Sequence, residues 1–149
     1  MANYESKCRT NYFAITDKDK FANIIKNLSG DGEIAFYEHD TDKGKYMFYC
    51  DGVLNGYKIT PDENDGSNKA VAKMIAELQQ ILPDGEAIIL IESGSEKVNL
   101  ISCAATIITN TDVQYINLSE AAIVKASEML GNPDYTTEML EHSPLYPKG

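Results

Sequence analysis

Two short β-prone runs, Glu33–His39 and Lys45–Cys50, are separated only by Asp40-Thr-Asp-Lys-Gly44. A linker this short that contains glycine closes a hairpin, and it is far too short for the crossover that a parallel pair needs. With His39 opposite Lys45, Phe36 faces Phe48 and Ile34 faces Cys50 on one side of the hairpin. Tyr37 then faces Met47, and Ala35 faces Tyr49, on the other. The Phe/Ile/Cys side is the expected core face, and the Tyr/Met side is left for solvent or for another element.

Hairpin logic carries through the rest of the chain. Residues 8–16 read as a first strand, rich in β-branched and aromatic side chains. Asp17 starts a helix whose apolar stripe is Phe21, Ile24, Ile25 and Leu28, with Gly30 at the expected C-terminal cap. The dipeptides Asp51-Gly52 and Asn55-Gly56 mark turns before a short strand, Tyr57–Thr60. A polar loop then leads to Ser67, an N-cap for a second helix carrying Val71, Met74, Ile75, Leu78, Ile81 and Leu82. Ala87–Ile91 lacks polar alternation and predicts a central strand covered on both faces. Ser93-Gly94-Ser95 reads as a turn into the run Lys97–Thr109, whose phase change near Ser102–Ala105 suggests a bulge or bend. Val113–Leu118 is a last strand. Ser119 caps a third helix, with Leu118 and Ile123 as a hydrophobic staple, and Gly131-Asn-Pro133 stops it.

The resulting order, β-α-β-β-β-α-β-β-β-α, predicts an α+β fold: a largely antiparallel sheet with helices packed on one face. It also reads as two successive βαββ-like units. The 149 residues fit a single globular domain, 1–149, ending in an irregular C-terminal tail, 132–149. A domain of this size buries roughly two-thirds of its unfolded surface and needs no staple.

Charge excludes several function classes. There are 13 basic and 23 acidic residues, a net charge of −10, and Arg9 is the sole arginine. Residues 51–149 alone hold six Lys/Arg against fifteen Asp/Glu. Without a basic cluster to displace counterions, direct nucleic-acid binding is not expected, nor is attachment to an acidic membrane surface. No apolar run reaches the roughly 18 to 20 residues of a membrane span, and the N-terminus lacks the apolar stretch of a secretory signal, so a cytoplasmic location is expected. The carboxylate surplus fits a solvated face; its sharper alternative is an acidic nucleic-acid mimic.

Catalytic chemistry finds little support. Cys8, Cys50 and Cys103 form no CxxC pair, which favours reduced thiols over disulfides or zinc. In the hairpin register above, His39 lies roughly 17 Å along the strands from Cys50, at ~3.3 Å per residue, too far to activate a thiol. His142 falls in the tail. Two acidic loops place Pro61 and Ala72, or His39 and Cys50, where a calcium loop needs carboxylates. Phosphate-cradling and hydrolase motifs are absent from the sequence, and Glu92 and Glu96 read as flanks of a solvated turn. The reading therefore assigns no catalytic, metal-binding or cofactor-binding residue.

The aromatic distribution is skewed. All four Phe and six of the nine Tyr precede residue 58. A core concentrated under the first half of the sheet explains most of this. The functional reading is an amphipathic patch of Tyr37, Met47, Tyr49 and Tyr57, because tyrosine and methionine offer large contact area at protein interfaces. Such a patch binds a protein partner or mediates self-association.

The opening Ala2-Asn-Tyr-Glu-Ser-Lys-Cys-Arg-Thr-Asn-Tyr-Phe13, followed by an Asp-led helix, resembles a family of small hypothetical proteins encoded on phages and conjugative elements of Gram-positive bacteria. Ala87–Glu92 and Asp112–Leu118 are compatible with that family's order of elements. The resemblance implies an accessory role in a mobile element, with interference in host machinery as one form of it, and lends no catalytic motif. The expectation is thus a non-enzymatic interaction or regulatory protein. The alternative is a small enzyme or ligand-binding domain with its site between sheet and tail, favoured if a shifted carboxylate lies in a concave pocket.

Overall fold

The computed structural model describes residues 5–60, 68–96 and 100–133. The strands and helices are β1 (Glu5–Thr10), β2 (Phe13–Ala14), α1 (Lys18–Lys26), β3 (Leu28–Gly30), β4 (Ile34–Glu38) and β5 (Lys45–Cys50). They continue with β6 (Leu54–Tyr57), α2 (Lys69–Gln79), β7 (Ile88–Glu96), β8 (Leu100–Ile108), β9 (Val113–Asn117) and α3 (Leu118–Leu130). The fold is α+β, as the pattern predicts, with two more strands than expected. The first strand is divided in two, and Leu28–Gly30 forms a strand of its own.

Seven strands build the main sheet in the order β4-β5-β1-β7-β8-β9, with β2 continuing the line of β1 beside β5. Every pairing is antiparallel. The first hairpin adopts the expected register, with Ile34 opposite Cys50, Phe36 opposite Phe48 and Tyr37 opposite Met47. β3 and β6 pair separately as a small ribbon, so the strand expected at Tyr57–Thr60 lies earlier, at Leu54–Tyr57.

The break between β1 and β2 has a physical cause. The register against β5 slips by one residue between Arg9↔Tyr49 and Phe13↔Tyr46, so Asn11 and Tyr12 carry a bulge. Side chains replace the lost ladder bonds. The buried Thr10 hydroxyl accepts from the Phe48 N–H at 3.1 Å and donates to the Asn11 carbonyl at 2.8 Å. Asn11 in turn donates to the Ala87 carbonyl at 3.1 Å and accepts from the Ile89 N–H at 2.7 Å, tying the bulge to β7.

α1 and α2 cover one face of the sheet. Phe21, Ile24 and Ile25 of α1 and Met74 and Leu78 of α2 pack on Phe13, Phe48, Cys50, Ile88, Leu90 and Ile108. Phe21 lies at the centre of the aromatic part of this core, with its ring edge-on to Phe36 at 5.1 Å and to Phe13 at 5.7 Å. Asp17 caps α1 by accepting from the Lys20 N–H at 3.0 Å, as expected. Its C-terminal cap is Asn27 instead of Gly30. Gly30 belongs to β3, where an added Cβ would lie 2.7 Å from Cys50 Sγ and 2.9 Å from the Val53 carbonyl oxygen, so its glycine serves close packing.

Other boundaries also move. Ser67 lies outside the described residues; α2 follows Asn68, which makes no side-chain cap bond, and ends at Gln79. Ile81 and Leu82 are buried just beyond the helix. Ser93–Ser95 lie inside β7 and form no turn, because β1 and β8 pair on both sides of that segment. The β7–β8 ladder runs without a slip from Ile88↔Ile108 to Glu96↔Leu100, so the expected bulge near Ser102–Ala105 is absent. Both sides of β8 there hold small residues, and a change of hydrophobic phase carries no bend. α3 is capped by Asn117, which accepts from the Glu120 N–H at 3.1 Å, instead of by Ser119. Leu118 is therefore the first residue of the helix and not one half of a staple. Gly131 ends α3 in the left-handed conformation.

Candidate functional site

The face of the sheet opposite α1 and α2 is built from alternate residues of every strand. Pairing places Ala35, Tyr49, Arg9, Ile91, Ala105 and Ile116 in one row across the strands. Lys7, Ser93 and Cys103 lie on one side of that row, and Ile89, Ile107 and Gln114 on the other. Ile91 is 45% exposed, Ile89 37% and Ile116 47%. The expectation that Ala87–Ile91 is covered on both faces is therefore corrected: Ile88 and Leu90 are buried under the helices, while Ile89 and Ile91 face outward.

The four residues singled out from the sequence do not form one patch. Tyr37 and Tyr49 do meet, with rings stacked at 6.0 Å and 15°. The Tyr49 hydroxyl donates to Glu33 Oε1 at 3.0 Å. Hydrogen bonding with Tyr37 first, and with Glu33 second, holds that hydroxyl well above the ordinary tyrosine range, so it remains protonated and able to donate. Met47 is on the same side of the hairpin but only 6% exposed. It supports the patch from within and is not part of its surface. Tyr57 lies elsewhere, in the β3–β6 ribbon, packed against the core with Lys73 Nζ 5.1 Å from its ring centroid.

Sequence reasoning missed Arg9, Ile89, Ile91 and Ile116. Their exposure depends on which face the helices leave uncovered, and strand alternation alone does not carry that information. Lys7, Arg9, Tyr49, Asp51, Ile91 and Ser93 line a shallow cleft of about 380 Å³ on this face. Lys7 pairs with Asp51 at one end. Arg9 donates from Nε to the Thr10 carbonyl at 3.1 Å, which orients the guanidinium and, among the described residues, leaves its terminal nitrogens for another acceptor. The surface sets Arg9 between the aromatic Tyr49 and the aliphatic Ile91, with the Lys7–Asp51 pair at one end, and aromatic side chains and arginine are the types enriched at protein-binding surfaces.

Of the groups weighed for catalysis, Cys8, Cys50 and His39 have structural roles, while Cys103 lies part-buried on the open face opposite Ser93. Cys8 and Cys50 stand directly opposite each other, buried in the core. Burial pushes the Cys8 thiol up to about 12, far from the thiolate that nucleophilic chemistry requires. His39 accepts the Thr41 and Asp42 N–H groups at Nδ1, at 3.2 and 3.0 Å, and so caps the hairpin loop. His142 lies outside the described residues. Glu92 departs from the solvated-turn reading. It sits on the helix-covered face opposite Cys8, half-buried, and burial raises its pKa. With Leu54, Met74, Ile75, Leu90, Thr106, Val113 and Tyr115 it lines a cleft of about 280 Å³ beside α2.

Comparison of the chain with known protein families, curated proteins and solved structures finds no match. Among the described residues, no helix is long and apolar enough to cross a membrane.

Proposed function

We propose that this chain is a non-enzymatic interaction protein that docks a partner protein on the open face of its sheet. The observation that carries this reading is the row Tyr49–Arg9–Ile91, with Tyr37 stacked on Tyr49. Tyrosine and arginine beside an exposed aliphatic side chain are the types that dominate binding energy at interfaces. Arg9 sets the partner's chemistry: an apolar or aromatic segment carrying a carboxylate, which a guanidinium binds in a bidentate fork. The likeness of Ala2–Phe13 to small proteins of phages and conjugative elements supports an accessory role there, with a host protein as the partner. Affinity capture from a lysate of such a host tests the reading, with each captured protein then purified and titrated directly. A partner whose affinity falls about tenfold or more with both Tyr49→Ala and Arg9→Glu, in variants of unchanged circular dichroism, supports it. A partner indifferent to both substitutions would falsify it.

A second reading rests on Glu92. A carboxylate with a burial-raised pKa in an apolar cleft marks a small-ligand site, and the lone charge there selects a small organic cation. A thermal-shift series with short alkylammonium salts tests it. Stabilisation of the wild type that vanishes in Glu92→Gln favours this reading, and equal shifts in both proteins remove it.

A further inference from the structure

The sheet ends differently at its two edges. β4 forms one edge, with Glu33 before it and Glu38 at its end, and charges of that kind discourage pairing with another chain. β9 forms the other edge, Val113-Gln-Tyr-Ile-Asn117, without a charge or a proline. Among the described residues it pairs only with β8, in a register without a slip. Within Val113–Asn117, β9 thus lacks a charge, a proline and a bulge, and among the described residues the carboxylate that guards its start is Asp112, whose Oδ1 accepts the Val113 N–H at 2.8 Å.

The surroundings of this edge are equally open. Val113 and Tyr115 project to one side of β9 and Ile116 to the other, and all three are exposed, Tyr115 at 63%. α3 follows without a linker and contacts β8 and β9, yet none of its residues is buried. Leu118, Met129 and Leu130 are exposed on it. We propose that β9 pairs antiparallel with β9 of a second copy of this chain, joining two sheets across a two-fold axis with the two α3 helices alongside.

Three arguments select a second copy as the occupant. A two-fold arrangement lets each copy use its open edge and its apolar helix at once, since an isologous interface presents the same patch from both sides. The area is also adequate. The six exposed side chains named above, at roughly 100 Å² each, or about half of what a large side chain buries in full, come to on the order of 600 Å². That is most of the ~800 Å² each partner contributes to a standard interface, and the strand edge adds main-chain hydrogen bonds. Charge is the third argument. Copies with a net charge of −10 repel each other, and Asp112 and Glu120 bound the contact segment, but residues 113–119 themselves hold no carboxylate and on α3 Lys125 lies 3.5 Å from Glu128.

Sedimentation velocity over a dilution series, with hydrogen exchange of the β9 amides on the same full-length samples, tests the proposal. The expected result is a species of twice the 16.5 kDa chain mass whose β9 protection is lost on dilution. Tyr115→Lys and Ile116→Lys, both at positions already exposed in the single chain, should each raise the dissociation constant about tenfold or more with unchanged circular dichroism. A monomer at every concentration overturns the proposal. Protected β9 amides in such a monomer would mean that the chain covers its own edge, and freely exchanging amides that the edge stays open. A dimer that survives both lysine variants but is lost with Tyr49→Ala also overturns it, placing self-association on the sheet face instead.

Discussion

Thr10 does with its side chain what the main chain of its neighbours cannot do at the bulge. Its hydroxyl satisfies the Phe48 N–H where the ladder between β1 and β5 is interrupted. A buried N–H without an acceptor costs about 1–3 kcal/mol, so Thr10→Val, which keeps shape and loses the acceptor, should lower unfolding stability by that amount. Thr10→Ser restores the acceptor and should recover most of the loss; urea denaturation of the three proteins reads the difference. Glu92 acts in the opposite sense. Its folded-state pKa is raised by burial, so the folded chain binds a proton more tightly than the unfolded chain does. Stability attributable to Glu92 therefore rises as pH falls from the raised folded value towards the ordinary carboxylate range, and is lost again as pH climbs. Glu92→Gln should accordingly melt higher than the wild type at neutral pH. The gap should close in mild acid, where both side chains are neutral, and a gap independent of pH would contradict this account.

Among the elements, the helices differ most. α1 is held by its cap and by three buried side chains, whereas α3 has a cap and no buried residue. An N-cap contributes about 1 kcal/mol, so Asp17→Ala should reduce global stability by that amount in a denaturant titration. Asn117→Ala should leave the global midpoint nearly unchanged and instead speed amide exchange within α3, because a helix that buries little opens locally. The same contrast explains what could be read in advance. The first hairpin, the Asp17 cap and the stripe of α1 follow from nearest-neighbour geometry and were legible residue by residue. β3 was not, because Leu28 continues the helical stripe while its strand pairing depends on Tyr57, far along the chain. The exposure of Ile89 and Ile91 is hidden for a similar reason: an unbroken apolar run such as Ala87–Ile91 reads as covered on both faces whether one face of its sheet is covered or two. Tyr57 misled through composition, since a tyrosine near other tyrosines in sequence need not share their face.

The described residues form a one-sided sheet, with both well-packed helices on one face and an apolar, tyrosine-marked surface on the other. That asymmetry links the fold to the proposed function, because one-sided sheets leave a broad face for a partner. The position of β1 has a separate consequence. It lies between β5 and β7, with Cys8 meeting Cys50 on one edge and Glu92 on the other. Hairpins β4–β5 and β7–β8 can zip early from local contacts, but the strand that unites them must close two long loops, which slows folding towards the millisecond-to-second range typical of non-local topologies. A ribosome making this chain thus finishes the central strand of the sheet first and must wait for β7 to emerge before that strand can be sealed on both edges.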